Sequence, residues 1–143
     1  MESLKDTIIY KLLFVQKKLV SAVREDFSDT GITHEDYVVL HYIYEFPGIT
    51  QSELSEASYK DKNVIVKCLD RLEKFGFAER IRLKDDRRSF HLHVTEEGKV
   101  AVGKYWERLV QRQNNALGDL TEEEVKNLHA ILDKIINKSF LED

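Results

Sequence analysis

The first segment of the chain carries two apolar stripes at helical spacing. One stripe consists of Ile8, Leu12, Val15, Leu19 and Val23, and the other of Ile9, Leu13, Val20 and Phe27. Together they predict a helix over about residues 4–27. A helix packed on one side of a single domain needs only one stripe. We therefore expect this helix to be buried on two sides, with its second partner in another subunit.

Capping residues delimit the next two helices. Thr33 begins a second helix that continues to about Glu45, and the following Pro47 ends it. A capping box at residues 50–53 begins a short third helix that ends near Ala57. The tight turn after the third helix is the kind that joins two helices of a DNA-binding motif.

A fourth helix and a hairpin follow. Asp61 caps the helix, and Gly76 is the glycine expected after its last turn. Its predicted inward face consists of Ile65, Cys68, Leu69 and Leu72. The period then changes to two in a pair of strand-like runs, which carry Ile81 and Leu83 in one and Phe90, Leu92 and Val94 in the other. The charged residues 85–88 between the runs predict the tip of the hairpin.

Two long helices complete the pattern. Thr95 begins the fifth helix, which ends near Gly118, and a capping box at 121–124 begins a sixth helix that extends to Phe140. This order predicts a mainly α fold with a small β-hairpin wing, a winged helix-turn-helix that dimerises through its N- and C-terminal helices. We expect one unit over residues 1–143, with the DNA-binding part and the two dimerisation segments at 33–95, 1–30 and 96–143.

Composition excludes several classes of protein. The 143 residues suffice for one domain, and the 42% hydrophobic and 34% charged fractions are ordinary for soluble proteins. A single cysteine, Cys68, excludes an internal disulfide framework. No apolar run is long enough to span a bilayer, and the polar residues 1–6 do not resemble a secretory signal. We therefore expect a cytoplasmic protein without a membrane partner.

Positive charge is concentrated in one segment. The net charge is −4, but residues 60–93 hold ten Lys and Arg against six Asp and Glu, a local charge of +4 that leaves −8 elsewhere. Such asymmetry is typical of a cationic surface on a soluble carrier. Because the fourth helix and the hairpin lie in this segment, double-stranded DNA is the expected partner.

The outward side chains of the fourth helix suit base recognition. The second helix of a helix-turn-helix enters the major groove. There, Asn pairs with adenine, Lys donates to guanine or phosphate, and Val touches the thymine methyl. Gln51 and Ser52 stand at a helix start, where phosphate binds. The other candidates are Lys60, Lys62, Asn63, Val66 and Lys67. For any one of them a solvated surface position explains the residue equally well, and only their convergence favours DNA.

The hairpin supplies a second candidate contact. Arg87 and Arg88, with Lys84 beside them, stand on a narrow hairpin that can enter a minor groove. Asp86 is expected to hold an arginine or a backbone amide and so to stiffen the tip. Taken alone, a charged tip is more often a solvated turn, and that alternative stays open.

Other reactive side chains favour structural roles. Cys68 shares the inward face of its helix, so we expect an inert, buried thiol. His91 and His93 lie on one face of a strand, but zinc needs three or four ligands and no nearby residue completes a set. We interpret these histidines as neighbours of phosphate. The sequence has no phosphate loop, nucleophile elbow or metal-binding helix motif. We therefore expect no catalytic residue, metal or cofactor.

Aromatic side chains on the first, second and fifth helices predict a pocket for a small aromatic or lipophilic effector. They are Tyr10, Phe14, Tyr37, His41, Tyr105 and Trp106. Aromatic residues at helical spacing are more often simple core, so packing is the alternative for each of them.

Three segments resemble the MarR family of transcriptional regulators. They are TQSELSEA at 50–57, KCLDRLEKFGF at 67–77, and DRR at 86–88 followed by TEEG at 95–98. The wing motif with its following helix start is the most specific part. The likeness covers nearly the whole chain in the order of its elements.

The resemblance implies a triangular dimer with interlocked terminal helices, bound to short palindromic operators and usually acting as a repressor. Members often release DNA when a small phenolic, lipophilic or oxidising effector acts. Groove-facing positions of the family are matched here by Asn63, Val66 and Lys67, and the wing pair by Arg88 and Asp86. The chain departs from the pattern at Val64, Val66, Tyr59 and Lys60. Two other functions stay open: a winged-helix protein-interaction module without operator specificity, and an enzyme that turns over a ligand in the aromatic pocket.

Overall fold

The computed structural model describes residues 2–139 and contains six α-helices and a two-stranded sheet in that part of the chain. The elements are α1 (Ile8–Asp26), α2 (His34–Glu45), α3 (Gln51–Ser58), α4 (Lys62–Lys74), β1 (Ala78–Leu83), β2 (Asp86–Val94), α5 (Glu96–Ala116) and α6 (Glu122–Ile136). The predicted order of elements is confirmed. Phe140, the last apolar position assigned to the sixth helix, lies outside the described residues.

Local hydrogen bonds determine where the helices begin. Thr33, Thr50 and Thr121 form capping boxes, in which each threonine and the acidic residue three positions later bind each other's backbone amides. Asp61 and Thr95 cap α4 and α5 through their side-chain oxygens. All five predicted caps are confirmed.

The hairpin turns earlier in the chain than predicted. Its tip was expected at residues 85–88, but the turn is formed by Lys84 and Asp85. Asp86 already pairs with Leu83 in the antiparallel ladder. The two arginines after Asp86 therefore lie in β2, in the irregular part of the ladder between the Leu83–Asp86 pair and the Ile81–His91 pair.

One core joins α2, α3 and α4 to the hairpin and the start of α5. Its buried members are Val39, Leu40, Ile43, Leu54, Ile65, Cys68, Leu69, Leu72, Ala78, Leu92 and Val102. The predicted inward face of α4 is confirmed, because all four of its residues belong to this core. Burial of that face leaves the opposite face of α4 exposed.

A second, smaller core joins the end of α1 to α2 and α5. It consists of Val23, Phe27, Ile32, Tyr37 and Tyr105. The rings of Tyr37 and Tyr105 are parallel, with centroids 4.7 Å apart. This cluster holds α5 against α2 and the end of α1.

The outer helices pack little within one chain. The first helix begins at Ile8, later than predicted, because Thr7 caps it after a separate helical turn at Leu4–Asp6. Val23 is its one buried residue, and α6 has none. Ile9 is 74% exposed and Ile136 is 73% exposed. Within the described residues, no helix combines the length and the apolar character needed to cross a bilayer.

Candidate nucleic-acid interface

The exposed face of α4 carries basic and amide side chains. Lys62, Asn63 and Lys67 are exposed, and Val66 is 38% exposed between them. Across residues 2–139, the ion pairs do not include either lysine. Both ammonium groups are therefore available to an anionic partner, as the sequence predicts.

The start of α3 only partly matches its prediction. Ser52 is exposed, but the Oε1 atom of Gln51 is buried and has no hydrogen-bond partner among the described residues. The cause is local packing, because Thr50 forms a β-bridge with His91 and draws the start of α3 against the wing. Lys60 is half-buried in the following turn, where its carbonyl accepts a hydrogen bond from Ser55.

Asp86 stiffens the wing. Its Oδ1 accepts a hydrogen bond from the backbone amide of Arg88 at 3.2 Å. The predicted role of this carboxylate in holding a backbone amide is confirmed. Arg87, Arg88 and Lys84 are all exposed. The wing therefore presents three cations, one in the turn and two in β2, and a hydrogen bond joins the first residue of β2 to the third.

Both ring nitrogens of His91 contact other atoms of the protein. Its Nδ1 lies 3.1 Å from the carbonyl oxygen of Gly48, and its Nε2 lies 3.3 Å from Oδ2 of Asp86. The expectation that His91 neighbours phosphate is wrong, because both ring nitrogens already bind protein atoms. His93 is half-buried beside it. The described residues contain no group of three side chains able to hold a metal ion.

Two arginines of the basic segment are also bound within the protein. Arg71 binds the fully buried carboxylate of Asp36, and Arg80 binds Asp70 and Glu73. Composition alone does not separate these arginines from the candidate DNA-binding cations. The position of Arg71 beside the inward stripe of α4 is the sequence signal that marks it as partly buried.

The charge of Asp36 is kept by its hydrogen bonds. Burial acts to raise the pKa of this carboxyl, but hydrogen bonds from Arg71 and from the amide of Thr33 outweigh it, and the pKa is below its ordinary value. Asp36 is therefore ionised at neutral pH. It ties the first turn of α2 to α4.

Two cavities lie beside the smaller core. The α1–α2 cavity has a volume of about 460 Å³, and its lining includes Tyr37 and Tyr105. The α2–α5 cavity has a volume of about 300 Å³, and its lining includes His41, Tyr105 and Trp106. Four of the six predicted pocket residues are thus divided between two cavities that share Tyr105.

Tyr10 and Phe14 do not join the other predicted pocket residues. Their rings stack on each other with centroids 6.0 Å apart, in the N-terminal half of α1, whose one buried residue is Val23 near its other end. The prediction of a single pocket containing both is wrong for one chain, because α1 meets the smaller core only near its C-terminal end.

A hydrogen-bonded pair separates the two cavities. The hydroxyl of Tyr105 lies 2.5 Å from Nδ1 of His34, and both side chains line both cavities. Burial lowers the pKa of His34 and raises the pKa of Tyr105. Both groups are neutral at pH 7, so the shared wall offers polar contacts without charge. Arg24 and Glu35, which form an ion pair, also line the larger cavity.

Comparison with known proteins shows which family shares this arrangement of helices and wing. The model of the MarR family matches residues 32–90, which include α2, α3, α4 and the tip of the wing. A mutant MarR from E. coli, solved in complex with operator DNA, is 26% identical and has a TM-score of 0.81 over 94% of this chain and 99% of that chain. Residues 32–90 of the chain therefore form a MarR-family domain.

Two curated relatives are named as HTH-type transcriptional regulators. The chain is 27% identical over 128 residues to the HTH-type transcriptional regulator YybA of Bacillus subtilis, covering 90% of this chain and 85% of the relative. It is 30% identical over 87 residues to the HTH-type regulator PecS of Dickeya dadantii, covering 61% of this chain and 52% of PecS. The chain thus spans about half the length of PecS.

The match to the MarR family gives the elements of this domain their roles. The chain is a DNA-binding transcriptional regulator, with α3 and α4 as the helix-turn-helix and β1 and β2 as the wing. The prediction that it is not an enzyme is confirmed, because the family consists of non-enzymatic DNA-binding proteins. As the second helix of the motif, α4 is the recognition helix.

Proposed function

We propose that this MarR-family regulator binds a palindromic operator as a homodimer and represses a neighbouring operon until a small effector releases it. The observation that carries the proposal is the outward face of α4, where Asn63, Val66 and Lys67 are exposed opposite the buried stripe. Arg88 on the wing adds a cation suited to an adjacent minor groove. The proposed place of action is the cytoplasm, where a bacterial regulator meets DNA.

Exposed apolar stripes on the outer helices support the homodimer. Leu13 is 61% exposed on α1, and Ile131 is 56% exposed on α6. Exposed apolar surface of this kind marks a protein–protein interface. Among homo-oligomers, the twofold-symmetric dimer is the commonest arrangement. A second copy that covers α1 and α6 would supply the second burial that the double stripe of α1 requires.

Operator binding is tested with the DNA upstream of the protein's own gene. A homodimer should select a palindrome whose half-sites lie about one helical turn, ~34 Å, apart. Inserting about half a turn of DNA between the half-sites should abolish high-affinity binding, while inserting a full turn costs less. Weak, salt-labile binding to every duplex would contradict the proposal and support the protein-interaction module.

Homodimerisation is tested separately by sedimentation equilibrium. Ile131→Asp places a charge on the exposed apolar stripe of α6 and should shift the protein toward monomer, with loss of operator binding. Asn127→Asp adds the same charge at an exposed polar position of α6 and should leave the dimer intact. A wild-type chain that is monomeric at micromolar concentration would contradict the proposed assembly.

The two cavities support relief by an effector. Their aromatic walls and the neutral His34–Tyr105 pair suit a small aromatic or lipophilic molecule with a hydrogen-bonding group. Both cavities adjoin α2, whose first turn is tied to the recognition helix through Asp36 and Arg71. A molecule that moves this turn would also move α4.

Effector binding is measured through Trp106, the chain's one tryptophan, which lines the α2–α5 cavity. A series of aromatic carboxylic acids and phenols should contain members that change its fluorescence and release the operator over the same concentration range. Tyr105→Phe should weaken both effects. Ligands that saturate the fluorescence change while the operator stays bound would contradict relief by an effector.

A further inference from the structure

Tyr59 has a backbone conformation that tyrosine rarely adopts. Its φ is 54° and its ψ is 23°, in the left-handed region. The other positive-φ residues in the described part of the chain are Gly31, Gly48 and Gly76. A residue with a Cβ is strained in this region, and such strain persists only where something else in the molecule maintains it.

Contacts within the chain do not offset the strain at Tyr59. The residue is 98% exposed and is the most exposed of the large apolar and aromatic residues in the described part of the chain. Neighbouring side chains hold the turn instead. Ser55 donates a hydrogen bond to the carbonyl of Lys60 at 2.6 Å, and Ser58 donates one to the carbonyl of Leu54 at 2.6 Å. The ring of Tyr59 is therefore not needed to form the turn.

The turn that contains Tyr59 lies at the DNA-proximal end of the motif. Tyr59 is the C-cap of α3 and comes two residues before Asp61, which caps α4. The N-terminal residues of a recognition helix are the ones that reach base edges. A side chain just before that helix therefore stands at the rim of the major groove, where the sugar–phosphate backbone runs. Lys60 and Lys62 follow it and add positive charge.

We infer that Tyr59 binds the DNA backbone, with its hydroxyl donating a hydrogen bond to a phosphate oxygen beside the groove that α4 enters. This inference rests on the proposed docking of α4. Tyrosine hydroxyls belong to the set of side-chain groups that bind phosphate in protein–DNA complexes. The contact is neutral and is made to the backbone, so it adds affinity without releasing a counterion or selecting a base.

Two substitutions test the contact by fluorescence anisotropy on operator and non-operator duplexes over a range of salt concentrations. Tyr59→Phe keeps the ring and removes the hydroxyl, and should weaken binding to both duplexes about three- to tenfold. The slope of log affinity against log salt should not change. Tyr59→Gly should weaken binding at least as much, and should raise the Tm by about 2–4 °C because glycine relieves the left-handed strain.

Lys67→Ala serves as the reference variant, because it should weaken binding and also reduce the salt slope by about one. If Lys67→Ala weakens binding while both Tyr59 variants bind like the wild type, the inference about Tyr59 is overturned and the proposed DNA surface stands. If all three variants bind like the wild type, the proposed surface fails as well. A lower Tm in Tyr59→Gly would overturn the inference by assigning Tyr59 a structural role.

Discussion

The guanidinium of Arg71 binds both carboxylate oxygens of Asp36, with nitrogen–oxygen distances between 2.9 and 3.1 Å. Asp36 is fully buried in the first turn of α2, which borders the α1–α2 cavity. Arg71 belongs to the recognition helix α4. The pair therefore connects the wall of the candidate effector cavity to the helix proposed to read DNA.

Removing Arg71 should destabilise the protein. Arg71→Ala leaves the buried carboxylate of Asp36 without its cation, and we expect a loss of about 2–3 kcal/mol in the free energy of unfolding. This value lies below the usual cost of breaking a buried pair because the Arg71 side chain is 40% exposed. Urea denaturation at fixed protein concentration measures this change in the free energy of unfolding. Arg24→Ala removes a pair in which neither carboxylate nor guanidinium is fully buried, with side chains 33% and 55% exposed, and should change stability less. Equal losses in the two variants would contradict the special role of Asp36.

Acid should destabilise the protein through the same carboxyl. The pKa of Asp36 in the folded protein is below its ordinary value of 3.8, so the stabilisation is complete above pH 3.8 and is lost as the pH falls through the lower folded value. The free energy of unfolding of the wild type should therefore fall more steeply below about pH 4 than that of Asp36→Asn. Urea midpoints between about pH 2 and 6 supply the comparison, and parallel curves for the two proteins would rule out this contribution.

Gly98 should not tolerate a side chain. A Cβ at this position would lie 2.0 Å from the carbonyl oxygen of Phe77 and 2.6 Å from Cγ1 of Val94, so α5 or the wing would have to move. We expect Gly98→Ala to lose about 3 kcal/mol or more of stability. Gly103→Ala is the matched control in the same helix, because no heavy atom beyond its chain neighbours and the surrounding helix backbone lies within 4 Å of its added Cβ. It should stabilise the helix by up to about 1 kcal/mol. Thermal unfolding measures the stability of both variants. A Gly98→Ala protein as stable as Gly103→Ala would contradict the close approach of Gly98 to the backbone of Phe77.

Cys68 should be unreactive in the folded protein. Burial, together with the hydrogen bond and negative charge of Asp36, raises the pKa of its thiol to about 12. Iodoacetamide should label Cys68 only after unfolding in urea, and mild peroxide treatment should leave operator affinity unchanged. Rapid labelling of the native protein at neutral pH would show that the thiol is accessible and would reopen a redox role.

Local signals in the sequence predicted most of the fold. The caps at Thr33, Thr50 and Asp61 depend on side chains that bind amides two or three residues away, so sequence spacing suffices to locate them. The inward face of α4 follows from its helical period, and exposure of Asn63 and Lys67 follows from the same period. These features need no knowledge of distant parts of the chain.

Contacts between distant segments were not predictable in the same way. Asp36 and Arg71 are 35 residues apart, and the local sequence around either residue does not identify the other as its partner. The interactions of His91 with Gly48 and of the α3 start with the wing depend on how the hairpin folds back over the turn after α2. The grouping of Tyr10 and Phe14 with the pocket failed for a related reason, because helical phase does not show where along its length α1 leaves the core.

The central claim is that the outward face of α4 and the wing together bind DNA, and the most direct test compares three cation-to-alanine variants. Lys67→Ala and Arg88→Ala should each weaken operator binding and lower the salt slope by about one, because each removes a phosphate or base contact. Lys104→Ala removes an exposed lysine of α5 outside this surface and should bind like the wild type. Circular dichroism should show all three folded. Unchanged affinity and salt slope in both Lys67→Ala and Arg88→Ala would contradict the account.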